Sequence, residues 1–193
     1  YDDRVPEEVL RRIVDNIADI NIVYSDIERL NLLNEGKKQD FILKSGSPMA
    51  EVLDHYKERI LSSKILEELN LQRGDYFVFS AHRAEHIACK DKFQKIIEIL
   101  SNLAGKYSKR IIVTTHPRTR KQLNSLALKG FGKLVEFHKP FSFTDYNKLQ
   151  INAQCTISDS GTISEESAIM GFNAVNIRGS QERPAAMDEG NVI

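Results

Sequence analysis

Residues 155–166 read Cys-Thr-Ile-Ser-Asp-Ser-Gly-Thr-Ile-Ser-Glu-Glu, and their types and order suit the binding of an anion and a sugar. Cys155 and Ile157 alternate as in a buried strand. Ser158-Asp159-Ser160-Gly161 reads as a tight turn, and Thr162 to Met170 as a helix opening on polar residues. The first backbone N–H groups of such a helix lack internal partners and carry the positive end of its dipole, so a phosphate fits there. Gly161 allows the anion close to the backbone. Glu165 and Glu166 lie in the first turn, where the dipole tolerates carboxylates, and one of them could accept both hydroxyls of a ribose. The plain alternative is a capping box, with Ser160 or Thr162 as N-cap and Ser164 to Glu166 inside the first turn. On these residues alone both readings stand.

Other polar residues join this turn once the elements that carry them are laid out. Apolar runs at Tyr76–Ser80, Arg110–Thr115, Leu134–Phe137, Cys155–Ser158 and Ala174–Ile177 read as strands. Helical spacing covers Lys92–Leu103, Thr119–Ala127, Thr144–Ile151 and Thr162–Met170. Strands alternating with helices predict an α/β fold, a Rossmann-like parallel sheet with helices on both faces, whose ligands bind at the carboxyl ends of the strands. Those ends carry Ala81-His82-Arg83, His116-Pro117-Arg118, His138-Lys139, the Ser-Gly turn and Arg178. Cationic and anion-binding groups thus gather on one edge, as a diphosphate requires. Taken singly, His82 reads equally as a capping or core histidine, His138-Lys139 as a solvated loop, and Tyr146 as a core aromatic or a stacking surface for a base. His55 and His86 belong to no constellation. The histidines share no ligand spacing and no cysteine accompanies them, so no metal site is expected. Glu165 and Glu166 diverge on a helix and cannot flank one glycosidic bond.

Upstream, Pro6 at a first helical position, Glu7 and Glu8 after it, and Val9, Leu10, Ile13, Val14 and Ile17 predict an amphipathic helix over about 6–18, with Arg11 and Arg12 on its polar side. A strand at 20–25, a helix at 26–35 closed by Gly36 and a strand at 41–44 follow. Gly46-Ser47-Pro48 is the clearest break and is read as a domain boundary. A helical stretch rich in lysine and glutamate covers about 49–70.

Hydrophobic residues make up 41% and charged residues 28% of the 193, as in an ordinary soluble protein. With 27 basic and 27 acidic residues the net charge is zero, which argues against nucleic acid or an anionic membrane as partner. Cys89 and Cys155 have no metal-like spacing, and a reducing cytoplasm is the expected compartment. No apolar run approaches the roughly 18 residues of a membrane span, and no signal peptide is seen. The chain opens in mid-flow at Tyr1 and reads as a fragment.

Six motifs in fixed order carry a resemblance: Val5-Pro6-Glu7-Glu8 with Arg11-Arg12 and Asp15; Ser45-Gly46-Ser47-Pro48; Ala81-His82-Arg83-Ala84-Glu85; Thr115-His116-Pro117-Arg118-Thr119; Ser158-Asp159-Ser160-Gly161-Thr162 with Glu165-Glu166; and Glu182-Arg183-Pro184. Over nearly its whole length the chain resembles the non-hydrolysing UDP-N-acetylglucosamine 2-epimerases, two-domain enzymes of GT-B type. The opening Asp2-Asp3-Arg4-Val5-Pro6-Glu7-Glu8 and Ser158 to Ser167 look most like the UDP-N-acetyl-L-fucosamine synthase branch, which inverts C-2 of a UDP-6-deoxy-L-hexosamine for capsule or O-antigen.

The resemblance implies that 1–45 are the tail of a first domain and 46–193 most of a second, UDP-binding one. It implies that His82, Arg83, His116 and Arg183 contact the substrate, chiefly its diphosphate, with Ser160, Gly161 and Thr162 cradling it. Glu166 would hold the ribose, Tyr146 would lie near uracil, and Glu7 and Arg11, with His82, would belong to the catalytic centre. The implied chemistry is loss of UDP across C-1 and C-2 to a 2-acetamidoglycal, then re-addition after reprotonation from the other face. It needs no metal or other cofactor; the expected partners are UDP, a UDP-2-acetamido sugar and a second subunit in a homodimer.

The family's opening strand and helix, a later acidic catalytic residue and its closing helices have no counterpart in this sequence, so the chain alone is expected to be inactive. Ala84, His86 and Ala185 depart from the family's usual residues and bear on substrate preference. Three further readings compete: a UDP-N-acetylglucosamine/N-acetylmannosamine epimerase; a GT-B glycosyltransferase, which has no reason to carry Pro6-Glu7-Glu8; and a binding module without catalysis.

Overall fold

The computed structural model describes residues 6–80, 90–114 and 134–177. Its first part runs through helix α1 (Pro6–Ile17), strand β1 (Asn21–Val23), helix α2 (Asp26–Asn34) and, after a 3-10 turn at Gln39–Phe41, strand β2 (Ile42–Lys44). Ser25 opens α2 with a capping box: its hydroxyl and backbone N–H both donate to the Glu28 carboxylate. β1 and β2 pair in parallel, and Val23, Leu32 and Ile42 form a small core on one face. Ile22 and Leu43 on the other face are exposed. So are Val9, Leu10, Ile13, Val14 and Ile17 of α1, each more than half accessible. The amphipathic pattern makes the expected helix, but its apolar side covers no core among the described residues.

The second part is helix α3 (Met49–Ser62), helix α4 (Ile65–Glu68), strand β3 (Tyr76–Ser80), helix α5 (Lys90–Tyr107), strand β4 (Arg110–Thr114), strand β5 (Val135–His138), helix α6 (Phe143–Asn152), strand β6 (Cys155–Ser158), helix α7 (Ile163–Met170) and strand β7 (Ala174–Asn176). The five strands form one parallel sheet in the order β5-β4-β3-β6-β7. From the central β3 the chain winds outward to β4 and β5, then returns to the other side of β3 for β6 and β7. The direction of winding reverses between β3 and β6, where open α/β sheets bind their ligands.

Helices cover both faces, which is why β3 is apolar along its length instead of alternating with polar residues. Phe77, Phe79, Ile111 and Val113 pack with Leu100 and Ala104 of α5. Tyr76, Val78 and Ile112 face Ile65, Leu71 and Leu149 on the opposite side. The Tyr76 hydroxyl donates to the Leu149 carbonyl at 2.7 Å, and burial raises its pKa. Arg110 ties the start of β4 to its neighbours: Nε and Nη2 donate to the two Glu136 oxygens at 2.5 and 2.9 Å, and Nη1 donates to the carbonyls of Leu69 and Asn70.

Three expectations need correction. The stretch 49–70 is two helices, broken at Ser63-Lys64, because the Ser63 hydroxyl donates to Asp145 Oδ1 of α6 at 2.6 Å while accepting from Ile65 N. α5 starts earlier and runs a turn longer than 92–103. His138 is the last residue of β5, 3.5 Å from Glu136, and not part of a solvated loop. The helix expected at 119–127 lies outside the described residues.

Candidate functional site

β3 and β6 end side by side in register, Ser80 opposite Ser158, with both side chains buried. The next residue crosses the junction: Asp159 N donates to the Ser80 carbonyl at 3.2 Å, while Ile177 N donates to the Ser158 carbonyl at 3.0 Å. The strand ends are thereby locked and the chain must turn at 158–162. Hydroxyls fold the turn upon itself. Ser160 N donates to Ser158 Oγ, Thr162 N donates to Ser160 Oγ, and the Ser160 and Thr162 hydroxyls pair at 2.9 Å.

α7 then begins without a capping box. Thr162 makes no side-chain cap, and its hydroxyl instead donates to Glu166 Oε1 at 2.7 Å. The first intrahelical bond is Glu166 N to the Thr162 carbonyl. Among the described residues the amides of Gly161, Ile163 and Ser164 have no acceptor. Three donors at the positive end of a helix, beside a sheet's switch point, suit an anion.

α6 supplies two side chains to this junction, one turn apart. Tyr146 shares hydrogen bonds with the side chains of Ser80 and Ser158. Burial pushes its pKa up to about 12, the Glu166 and Asp159 charges add to the rise, and the two hydrogen bonds oppose it. Its ring packs against the core of Tyr76, Val78, Ile112 and Leu149. Gln150, also buried, donates from Nε2 to Glu166 Oε2 at 3.1 Å. Both Glu166 oxygens therefore accept from protein donors and keep lone pairs for further hydroxyls. Its neighbour Glu165 accepts from the hydroxyl of Ser47, which also takes the amide of Met49 at the start of α3.

The structure thus brings Tyr146, Ser160, Gly161, Thr162 and Glu166 together. Arg11 belongs to a separate cluster on α1, where Glu8 is buried, accepts from Arg12 Nε at 3.2 Å and lies 3.9 Å from Arg11 Nη1. Nearby Asp15 has its pKa raised, first by burial and then by the Glu8 charge. Glu7 lies on α1, and its side chain is outside the described residues, as are His82, Arg83, His116 and Arg183. Sequence reasoning missed Ser80, Gln150 and Ser47. Two of these had a signal: Gln150, one helical turn beyond Tyr146, and Ser47, inside the Ser45-Gly46-Ser47-Pro48 motif.

A family model described as UDP-N-acetylglucosamine 2-epimerase matches residues 1–193, the whole chain. The chain belongs to this family. A solved UDP-N-acetylglucosamine 2-epimerase from Rickettsia bellii is 42% identical with a TM-score of 0.88, covering 100% of this chain and 51% of that one. The Methanocaldococcus jannaschii UDP-GlcNAc 2-epimerase, solved in complex with UDP-GlcNAc and UDP, is 28% identical with a TM-score of 0.88, over 100% of this chain and 54% of that one. The UDP-2,3-diacetamido-2,3-dideoxy-D-glucuronate 2-epimerase of Pseudomonas aeruginosa is 26% identical over 93% of this chain and 49% of its own length. The chain spans about half the length of the relatives it matches.

Proposed function

We propose that the protein carrying this chain is a UDP-2-acetamido-sugar 2-epimerase, and that 158–166 hold the nucleotide. The observation that carries this reading is the turn at the β3–β6 switch, where three amides have no acceptor among the described residues, beside a doubly held Glu166. The amides of Gly161, Ile163 and Ser164 take the diphosphate, and Ser160 and Thr162 shape the turn around it. Glu166 accepts the ribose hydroxyls, and Tyr146 supports uracil from α6. His82, Arg83, His116 and Arg183 add positive charge at the same edge, a placement supported for the first three by their motifs at predicted strand ends and for Arg183 by the resemblance of Glu182-Arg183-Pro184 to the family. Family membership and the UDP-GlcNAc complex of the M. jannaschii relative support the choice of ligand.

The chemistry follows from where charge develops. Removal of the C-2 proton with breakage of the C-1–oxygen bond expels UDP as an anion, which the amides and cations stabilise. Return of a proton to the opposite face of C-2, with re-addition of UDP at C-1, gives the epimer. Residues 1–45 belong to a first domain, and Glu7 with Arg11 faces the sugar from it. The two separate sheets support this division. The Asp2–Glu7 and Ser158–Ser167 motifs favour UDP-N-acetyl-L-fucosamine formation for capsule or O-antigen, in a cytoplasmic homodimer. Among the described residues no helix is long and apolar enough to cross a membrane.

The test is exchange at C-2. The full-length protein, given a UDP-2-acetamido-6-deoxy-L-hexose in deuterated water, incorporates deuterium at C-2 of recovered substrate and product. An enzyme that binds UDP yet never exchanges that hydrogen refutes the epimerase reading. Faster exchange with UDP-N-acetylglucosamine than with the deoxy sugar refutes the branch assignment alone.

A further inference from the structure

We infer that Gln150 is a positioning residue that aims the Glu166 carboxylate at the two ribose hydroxyls, and so sets the preference for a ribonucleotide. The inference rests on the reading of Glu166 given above. Gln150 is 1% exposed, on a helix whose neighbouring buried position is Leu149. Its Nε2 donates to Glu166 Oε2 at 3.1 Å, while its Oε1 is buried with no hydrogen-bond partner among the described residues. An amide left half satisfied in a core destabilises the fold relative to an apolar side chain of similar volume. Packing therefore does not account for a glutamine here, and the one bond it makes points to its role.

That bond completes a clamp. Thr162 Oγ1 holds Oε1 of Glu166 at 2.7 Å from the same helix, and Gln150 holds Oε2 from α6. A carboxylate tethered at one oxygen can rotate about the bond to its carbon, whereas one held at both has a fixed plane. Vicinal hydroxyls are best met by such a fixed pair of acceptors, since no rotamer freedom is lost when the ligand arrives.

Calorimetric titration of the full-length protein with UDP and with 2′,3′-dideoxy-UDP separates positioning from structure. Gln150→Leu is expected to weaken UDP about tenfold while leaving the affinity for dideoxy-UDP unchanged, because the lost interaction runs through the diol. Gln150→Met provides a second apolar variant if the first does not fold, and circular dichroism checks both. Equal weakening of the two ligands, or no weakening of UDP, overturns the proposal. Wild-type protein binding both ligands alike shows instead that Glu166 does not hold the ribose, and the proposal falls with that reading.

Discussion

Tyr146 makes the electrostatics of the β3–β6 junction measurable. Its pKa is raised from 10.0 to about 12, chiefly by burial. At neutral pH the hydroxyl is protonated in both folded and unfolded chains, and the shift contributes nothing to pH dependence. Above pH 10 the unfolded chain releases this proton while the folded one keeps it, so stability falls as pH rises and levels off once the folded group titrates near 12. Two pKa units correspond to about 2.7 kcal/mol. Tyr146→Phe removes this loss. It also removes the bonds to Ser80 and Ser158, at a cost of about 1 kcal/mol at pH 7. Urea unfolding of wild type and variant at pH 7, 10 and 11.5 is the assay. The variant starts less stable and the difference narrows or reverses by pH 11.5, other alkaline titrations cancelling between the two proteins. A constant difference across that range would refute the placement of the Tyr146 hydroxyl.

Two further outcomes follow from the fold. Glu136 has its pKa lowered, first by the Arg110 hydrogen bond, so its contribution is present above the unfolded carboxylate value and is lost as pH falls through the folded one. Glu136→Gln should flatten the acid limb of a stability-versus-pH curve by about 1 kcal/mol, a modest figure because both partners are partly exposed; an unchanged acid limb counts against it. Ser108 closes α5 with φ of 52°, a left-handed conformation that suits glycine. Ser108→Gly should raise stability by about 0.5–1 kcal/mol in thermal unfolding, and a lower melting temperature would contradict that geometry.

Strands β3 and β6 were legible in the sequence because each is a short apolar run ended by a polar turn, and α6 because Leu149 and its neighbours recur at helical spacing. The turn at 158–162 was legible for the same reason: its signal is local, strand then glycine then helix. The strand order was not, since nothing in a run such as Tyr76–Ser80 says that β4 and β6 will flank it. The break at Ser63 was hidden because its cause is an aspartate 82 residues away. Gln150 was overlooked because a buried amide looks like a solvated one until its partner, Glu166, is in view. The apolar side of α1 misled in another way, since the pattern predicts burial but does not say what covers it.

Glu165 and Glu166 point about 100° apart around α7, as adjacent helical residues must. Glu166 faces the turn that meets the nucleotide in the proposed site, while Glu165 takes the hydroxyl of Ser47, beside Gly46 with its φ of +78°. The helix is too short to twist within itself, so a roll that improves one contact strains the other. Occupancy of the turn and the backbone setting at 46–48 are therefore thermodynamically linked, each shifting the other's equilibrium by the same free energy. In the proposed two-domain arrangement, with its joint at Gly46, Ser47 couples that joint to the nucleotide turn through Glu165.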